Sequence, residues 1–518
     1  MFGMAEGFYP LESIFLVLAL MALGRIPSIE ALRYEAPGEW GKLMGLDRIP
    51  EVRTLRQKLS QLCAQEGSAQ RWSSALAEQW MKDEPQWTGV FYADGHVRVY
   101  HGKLTDLPRR YVARERLCLR ATTDYWVNAM DGRPFFMLSC AVDPGLQSVL
   151  REQIIPRLEA EVPNQPTQEQ LQADPHLSRF TIVFDREGYS PVLFAQLKAQ
   201  RIAILTYRKF ETALWAPEEF RSCQVKLING EEVTMEMAER GVQLSNKLWV
   251  REVRHLTEKG HQCSILGTDY RCDLTRIAAA TFARWCQENF FKYMRKHYSL
   301  DRLVEYGTEA IPDTTRVVNP AWRQLDSQVR RQNGLLSREL AQFAQIQLPP
   351  ELEPQEVQAY ELKKGQLQEA IQARRFQIQE LKTQRKANPK HIEIKNLPEQ
   401  DRFRRLRSEK KHFIDTIKLI AYRAETALAE AARVKIKRFD DARSLIRQLF
   451  RTEVDLIPDP LKQTLTVRLH PMSTQVHDEV VHHIVQELTE TETVFPGTNL
   501  RLVYEISGSN YIPRDQDV

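Results

Sequence analysis

Three acidic residues stand where carboxylates can converge on a metal ion. Asp94 ends the strand-like run Thr88–Asp94, Asp185 ends the run Arg179–Asp185, and Glu288 lies in a helix-like segment. If the two strands are neighbours, both aspartates emerge at one edge of a sheet, and a helix across that edge can place Glu288 beside them. Three oxygen ligands suit Mg²⁺ or Mn²⁺. Two such ions about 4 Å apart activate an attacking oxygen and stabilise a leaving oxygen on phosphorus.

The segment Thr281–Lys296 has the spacing of one amphipathic helix. Its large apolar residues recur at three- and four-residue steps and predict a buried flank: Phe282, Trp285, Phe291 and Met294. Another face carries one acid among three cations: Arg284, Glu288, Lys292 and Arg295. Taken alone, this face is typical of a solvated ion-pair ladder. Beside two aspartates, the cations are instead candidates for binding phosphate.

Each acid also has an ordinary structural interpretation. A single aspartate before glycine at the end of a strand is usually a turn residue, so the catalytic interpretation depends on the ordered set of three. Four other acids are reserve candidates that a turn, a helix cap or surface solvation explains better: Asp131, Asp143, Glu187 and Asp269. The helix-like His477–His483 does not have the ligand spacing of a zinc helix and is assigned to the surface.

Charge and cysteine usage narrow the class of protein. The net charge is only +4, but residues 361–440 carry 21 lysines and arginines against 11 acids, which favours a polyanionic partner for this window. The seven cysteines are scattered and never form a CxxC pair, as expected of reduced thiols in a cytoplasmic protein. The apolar run Ile14–Leu23 is too short to span a bilayer, so it predicts a buried helix and no membrane partner.

From residue 87 the chain alternates strand-like and helix-like segments. The strand Thr88–Asp94 is followed by His96–Tyr100, which alternates as its continuation or its return. A hairpin comes next, Leu117–Ala129 and Pro134–Val142, with an Asp131-Gly132 turn. A helix at Leu146–Val162, the strand ending at Asp185, a helix at 191–200 and the strand Ile202–Tyr207 come next. This alternation builds a partly parallel α/β sheet.

The remaining segments define the domain organisation. Residues 220–268 are β-rich, with an Asn229-Gly230 turn, and interrupt the alternation before the Glu288 helix. Long charged helices at 321–347, 355–386 and 400–436 predict antiparallel hairpins of coiled-coil type. We therefore expect a helical N-terminal region (1–86), a catalytic domain (87–310), basic helical hairpins (320–437) and a small α/β unit (438–518).

The three acidic segments together resemble the DDE transposases of bacterial insertion sequences that carry a β-rich insertion before the third acid. The segments are Tyr92–His96, Phe184–Ser190 and Arg284–Lys292. The family's third-acid helix often has Tyr, two residues, Arg, three residues, Glu, six residues, Lys. Arg284 and Glu288 match this pattern, whereas Arg295 stands at the Lys position and Thr281 at the Tyr position.

The resemblance implies a fold, a reaction and partners. The fold is α/β, with a ribonuclease-H-like mixed sheet, flanking helices and the β-rich insertion. The reaction is cleavage and joining of DNA with Mg²⁺ or Mn²⁺, in two ions, held by Asp94, Asp185 and Glu288. The partner is double-stranded DNA, as transposon terminal inverted repeats and target. Apart from the resemblance, the charged helices at 361–440 are compatible with a homodimer, which can coexist with DNA contact or with a solvated face. The cytoplasmic protein is associated with the nucleoid when bound to DNA.

Two further questions stay open on sequence grounds. The cluster Arg402, Arg404, Arg405, Arg407, Lys410 and Lys411 predicts either contact with the DNA backbone or a solvated helix face. The three acids Asp94, Asp185 and Glu288 are also compatible with a ribonuclease-H-like nuclease that does not transfer strands. A DNA-binding or scaffold protein that has lost catalysis is the third alternative.

Overall fold

The computed structural model describes residues 2, 4, 7–102, 107–112, 114–140, 142–210, 212–228, 230–346 and 354–508, apart from the side chains of Trp285 and Gln400. The expected turn at Asn229 and the last ten residues of the C-terminal unit lie outside these residues. The chain divides into two compact units, the first formed by 1–99, 110–307 and 407–518, the second by 100–109 and 308–406.

A ten-stranded mixed sheet dominates the first unit. Its strands are β1 (Val90–Val99), β2 (Arg109–Val112), β3 (Leu117–Ala129), β4 (Pro134–Cys140), β5 (Thr181–Phe184), β6 (Ala203–Tyr207), β7 (Arg221–Lys226), β8 (Glu232–Gln243), β9 (Trp249–Leu256) and β10 (Gln262–Gly267). The order is β2-β3-β1-β5-β6-β10-β9-β8-β7, with β4 also paired to β3. The expected α/β class with a mixed sheet is thus confirmed, and the β-rich insertion extends the main sheet through β10.

The three central strands β1, β5 and β6 run parallel to one another. Their side chains are buried on both faces: Phe91, Ile182 and Ile204 point into one core, whereas Tyr92, Val183 and Leu205 point into the other. Parallel strands covered on both faces read as continuous apolar runs, which explains why the sequence shows them so clearly.

The helices of the first unit are α1 (Leu11–Leu23), α2 (Pro37–Lys42), α3 (Val52–Leu62), α4 (Ser68–Asp83), α5 (Leu146–Val149), α6 (Ile155–Glu161), α7 (Gln168–Ala173), α8 (Pro191–Ala199), α9 (Leu274–Phe282) and α10 (Arg284–Tyr298). A π-helical turn, Leu150–Ile154, joins α5 to α6. Pro156 cannot donate a backbone hydrogen bond, and a π-turn accommodates that loss. The helix expected at 146–162 therefore forms with one irregular turn.

The expected single helix at 281–296 is wrong in one respect, because the chain breaks it into α9 and α10 at Ala283. The Thr281 hydroxyl donates to the Ile277 carbonyl at 2.8 Å, a contact that often bends helices. Phe291 and Met294 are buried as expected, and Phe290 joins them. The Trp285 side chain, also assigned to this flank, is outside the described part.

The apolar run near the N-terminus is a buried helix, as expected. Ile14 and Val17 of α1 pack in a cluster with the N-terminal helices and with Phe413. Among the described residues, no helix combines the length and the apolar character that crossing a bilayer requires.

The C-terminal part of the chain differs most from expectation at its third long helix. Helix α13 spans Glu409–Ala432, following α11 (Pro320–Gln345) and α12 (Pro354–Ala387) of the second unit. It begins nine residues later than the expected 400–436 and belongs to the first unit, where it packs against α1 and α4. Its burial, which includes Lys411 and Asp415, excludes a solvated coiled-coil helix at this position.

The first unit ends in a small α/β layer. It contains α14 (Phe439–Leu449), α15 (Gln475–Glu490) and a three-stranded sheet of β15 (Val454–Asp459), β16 (Thr464–Leu469) and β17 (Arg501–Ile506). The sequence pattern of β15 is weak, because Pro458 and the exposed Asp455 interrupt its apolar residues.

The second unit is built on the hairpin of α11 and α12, as the charged, Gln-rich sequence predicts. Arg385 pairs with Asp326 and Arg374 with Glu339, each at 2.5 Å, so the helices run antiparallel. Two short antiparallel ladders close the unit: β11 (Thr308–Glu309) with β14 (Arg405–Leu406), and β12 (Arg316–Val318) with β13 (His391–Glu393).

Candidate active site

The backbone register places Asp94 and Asp185 at the same end of two adjacent parallel strands. Ala93 of β1 pairs with Phe184 of β5, and the two aspartates are the next residues on each strand. Of the two expectations for His96–Tyr100, continuation of the first strand is confirmed, since β1 runs on to Val99 and Asp94 pairs with Trp126 of β3. Asp94 nevertheless marks the point where β5 ends and β1 loses that neighbour.

Local backbone contacts orient both aspartates. The Gly95 N–H donates to Asp94 Oδ1 at 2.8 Å. The Glu187 N–H donates to Asp185 Oδ1 at 2.8 Å, so Asp185 caps the short 3₁₀ turn that follows β5. Gly188 is required in this turn, because a Cβ atom there would come within 2.4 Å of the Phe184 ring.

Helix α10 is fixed to the strands by a buried glutamine that sequence reasoning missed. Gln287 is 1% exposed, and its amide nitrogen lies 3.2 Å from the Tyr92 carbonyl, 3.3 Å from the Trp126 carbonyl and 2.9 Å from Asn128 Oδ1. Tyr92 completes the attachment, since its hydroxyl donates to the Ala280 carbonyl of α9 at 2.6 Å. The residue after Gln287 is Glu288, so the same contacts set the position of the third acid.

Glu288 is half exposed and paired with Arg284, whose guanidinium lies 2.6 Å from Glu288 Oε1. This is the i,i+4 pair that the sequence pattern predicts. Arg284 also interacts electrostatically with Asp94 and Asp185. The guanidinium of Arg284 thus offsets part of the negative charge of all three carboxylates.

The charge distribution leaves Asp94 poorly compensated. Asp94 is partly exposed at its surface, but protein atoms surround it densely. Burial and the negative charge of Asp185 raise its pKa to about 7, with a smaller contribution from Glu288. Arg284 and the Gly95 N–H oppose this rise without cancelling it. The three acids therefore interact, and their combined negative charge exceeds what the neighbouring cation offsets.

The acids do not form a closed metal cage. Within the described part of the chain, no three His, Cys, Asp or Glu side chains converge at metal-binding distances. The ligand chemistry is still that of a hard divalent cation, because all three side chains offer oxygen and, among the described residues, Asp94 accepts a direct hydrogen bond from the Gly95 N–H alone. Glu288 is paired with Arg284, so it would have to leave this ion pair or share it in order to bind a metal ion.

Lys292 and Arg295, the other two cations that the sequence pattern made candidates for binding phosphate, lie on the exposed surface of α10. Lys292 follows Glu288 by one helical turn and has no ion-pair partner among the described residues. Arg295 is 43% exposed and pairs with Asp301 at 2.9 Å. Arg295 is therefore partly engaged within the protein, in contrast to the free cation that the sequence suggested.

The basic cluster after residue 400 is divided by the fold. Arg404 is exposed, Arg402 donates to the Lys395 carbonyl at 3.1 Å, and Arg405 pairs with Glu309 at 2.7 Å, all within the second unit. Lys410 and Lys411 belong to the first unit. Lys411 is buried against Asp415, and burial lowers its pKa to about 7, so it fits neither of the two expectations, DNA contact or a solvated helix face.

The four reserve acids have the local roles that their sequence context suggests. Asp131 accepts from the Arg133 N–H at 2.9 Å in the hairpin turn, and Asp269 accepts from the Arg271 N–H at 2.9 Å. Asp143 accepts from the Tyr125 hydroxyl at 2.5 Å. Glu187 lies beside Asp185, and burial together with the charge of Asp143 raises its pKa.

The fold and this site define a mixed α/β protein with interacting carboxylates at the ends of adjacent parallel strands. A family model described as "Transposase protein" matches residues 1–508. The chain belongs to this transposase family, which makes it a DNA-processing protein with DNA as its partner. Comparison with curated proteins gave no match.

Proposed function

We propose that this transposase is of the DDE type, with a ribonuclease-H-like catalytic core, and that it cleaves DNA at the ends of an insertion sequence and joins them to a target. Asp94, Asp185 and Glu288 would hold Mg²⁺ or Mn²⁺, in two ions. When bound, the ions supply activation of the attacking oxygen and stabilisation of charge at phosphorus.

The register of β1 and β5 is the observation that carries this proposal. It brings Asp94 and Asp185 side by side although 91 residues separate them in the chain. The attachment of α10 to β1 and β3 by Gln287 brings Glu288 near enough to interact electrostatically with Asp94. A carboxylate such as Asp94, whose pKa is raised by burial and a neighbouring like charge, is typical of catalytic sites.

The side chains around the three acids would either bind phosphate or keep α10 in position. Arg284 offsets the carboxylate charge in the free protein, and its guanidinium has enough donors to bind a non-bridging phosphate oxygen as well. Lys292 is exposed one turn further along α10 and adds a second positive charge for the phosphate. Gln287 and Tyr92 keep the helix against the strands while substrate binds.

Conservative substitution of the acids tests this assignment. Asp94→Asn, Asp185→Asn and Glu288→Gln should each abolish Mg²⁺-dependent cleavage of terminal-repeat DNA and leave DNA binding largely intact. Asp269→Asn is the matched control, because Asp269 only caps a turn, and it should cleave normally. If any of the three variants cleaves at a near-native rate, that residue is not a ligand.

The products distinguish transposition from simple cleavage. Duplexes taken from the flanks of the gene, incubated with protein, Mg²⁺ and a target plasmid, should yield joined products with free 3′ hydroxyl ends. Cut products without joining would support a nuclease of the same fold. Binding without any cleavage would support a DNA-binding scaffold.

The second unit has a separate place in this proposal. Exposed Arg404, with Arg402 and Arg405 nearby in sequence, would contact the DNA backbone, and a homodimer would pair two transposon ends. Arg404→Ala should lower the salt dependence of DNA binding by about one phosphate contact. Sedimentation of the protein with and without end DNA tests the dimer.

A further inference from the structure

The turn between β2 and β3 carries arginines that the proposed reaction does not use. Arg114 and Arg116 lie in this turn, and both are exposed. Arg114 donates to the Val97 carbonyl at 3.1 Å and lies 3.4 Å from Asp301 Oδ2. Asp301 also pairs with Arg295 of α10 at 2.9 Å. The turn is therefore attached to the helix that bears Glu288.

Asp301 is surrounded by more positive charge than it can neutralise. Besides the two arginines, His96 lies 2.6 Å from its other oxygen, and His96 stacks on Phe291. Hydrogen bonding and charge from His96, then Arg114 and Arg295, lower the pKa of Asp301 to about 2 despite burial. Asp301 thus fixes two guanidinium groups at a defined place on the surface, and Glu115, 3.8 Å from Arg114, offsets the positive charge that Asp301 leaves.

The cations that give this surface its net positive charge lie on α10 and in the turn. Lys292 and Lys296 are exposed at i and i+4, and in the described residues neither has an ion-pair partner. Arg116 likewise has no ion-pair partner within the described chain. These residues form what we term the cationic face: Arg114, Arg116, Lys292, Arg295 and Lys296.

The cationic face has dimensions that suit a duplex. Arg295 follows Glu288 by seven residues, which is roughly 10 Å along a helix at 1.5 Å per residue. Successive phosphates on one DNA strand advance about 3.4 Å along the duplex axis. The face therefore reaches phosphates about three base-pair steps from one that lies at Glu288.

We propose that the cationic face binds the phosphate backbone of the DNA duplex flanking the cleaved position, with the Arg114–Arg116 turn as its outer part. This inference rests on the proposed function for its location, because it takes Glu288 as the end at which the chemistry occurs. The contacts would be to phosphate, so the turn contributes affinity and alignment without selecting sequence.

Salt-dependent binding to DNA tests this inference without any catalysis. The probe is a 30-base-pair duplex of random sequence, measured by fluorescence anisotropy with full-length protein in EDTA at 50–200 mM KCl. Arg116→Asn removes the charge and tolerates the left-handed backbone at this position, where φ is 54°. It should lower the slope of log K against log salt by about 0.9 and weaken binding at 100 mM about threefold.

Two further variants separate a DNA contact from a structural role. Arg114→Lys keeps the charge and should retain the slope, whereas Arg114→Ala should lower it by about 0.9. Arg501→Ala is the matched control, since Arg501 is a half-exposed, ion-paired arginine on β17, and its slope should equal that of the wild type. Thermal unfolding of each variant identifies any loss of folded protein.

The outcomes separate this inference from the proposed function. Wild-type slopes in Arg116→Asn and folded Arg114→Ala would overturn the cationic face, whatever the catalytic acids do. A reduced slope in both would support it even if Asp94→Asn still cleaved DNA, a result that would overturn only the metal-ligand assignment.

Discussion

Buried carboxylates of the first unit fall into two groups that differ in how completely the protein satisfies them. Glu425 is fully buried and accepts from Arg25, Tyr293 and Tyr298, with Arg443 3.3 Å away. Its pKa is lowered because these donors outweigh the effect of burial. Asp94 has one backbone donor, a like charge beside it and a pKa raised to about 7.

A second structural carboxylate behaves like Glu425. Asp124 is fully buried and accepts from Arg98 at 2.9 Å and from the Ser139 hydroxyl at 2.5 Å. Burial is outweighed by the charge of Arg98, and the pKa of Asp124 is lowered. Burial alone therefore does not identify a functional acid, since the pKa of a buried carboxylate is lowered when enough cations and donors surround it. What sets Asp94 apart is negative charge that its neighbours leave uncompensated.

The largest expected effect is on stability, at Glu425. Glu425→Ala leaves Arg25 and Arg443 buried without their counter-charge, which should cost about 3–5 kcal/mol. Chemical denaturation followed by tryptophan fluorescence measures the loss. Glu288→Gln is the contrasting variant, because its ion pair is half exposed and should contribute at most about 1 kcal/mol. Equal losses in the two variants would contradict the comparison.

The next effect is on catalysis, at the residue that positions α10. Gln287→Met keeps the length of the side chain and removes its three contacts to β1 and β3, so Glu288 should shift relative to Asp94. We expect cleavage to slow about 10- to 100-fold and to require more Mg²⁺. Asn289→Ser, at the exposed neighbouring position, is the control. A rate within twofold of wild type in Gln287→Met would argue against this positioning role.

A smaller effect concerns the pH dependence of stability at Asp301. Its folded pKa of about 2 lies below the ordinary 3.8, so its stabilising contribution is fully present above pH 4 and is lost as the pH falls towards 2. Asp301→Asn should therefore lower the free energy of unfolding at pH 5 by less than about 2 kcal/mol, seen as a lower thermal midpoint, and the difference should shrink at pH 3. A constant difference between these pH values would contradict the assignment.

The smallest effect is the stability of the metal-free protein on neutralising Asp94. Asp94→Asn removes the repulsion with Asp185 without leaving a cation unpaired at close range. The free energy of unfolding in EDTA should stay within about 1 kcal/mol of wild type or rise. A loss as large as that expected for Glu425→Ala would place Asp94 with the structural carboxylates.

Sequence reasoning found the parts of the site that depend on local pattern. The apolar strand before Asp185, the hairpin with its Asp131-Gly132 turn and the Arg284–Glu288 pair all follow from residues close in the chain. Whether β1 continues through Asp94 or turns back there stayed open, because pairing with β3 across 32 residues decides it. Gln287 was missed for the same reason, since its three acceptors are distant in sequence.

Buried charge explains the largest error. Lys411 and Asp415 at i,i+4 have the pattern of a solvated helix face, and nothing local distinguishes them from one. Their burial is decided by the sheet and the N-terminal helices, through Phe413 and Ile417 on the same helix. A charged helix can therefore be a core element when its charges are paired within the fold.

We propose above all that Asp94, Asp185 and Glu288 bind a divalent metal ion. Titration of full-length protein with Mn²⁺, followed by electron paramagnetic resonance, tests it independently of DNA cleavage. Wild type and Asp269→Asn should bind Mn²⁺ alike, whereas Asp94→Asn and Asp185→Asn should each lose at least tenfold in affinity. Equal Mn²⁺ binding by Asp94→Asn and wild type would contradict the claim.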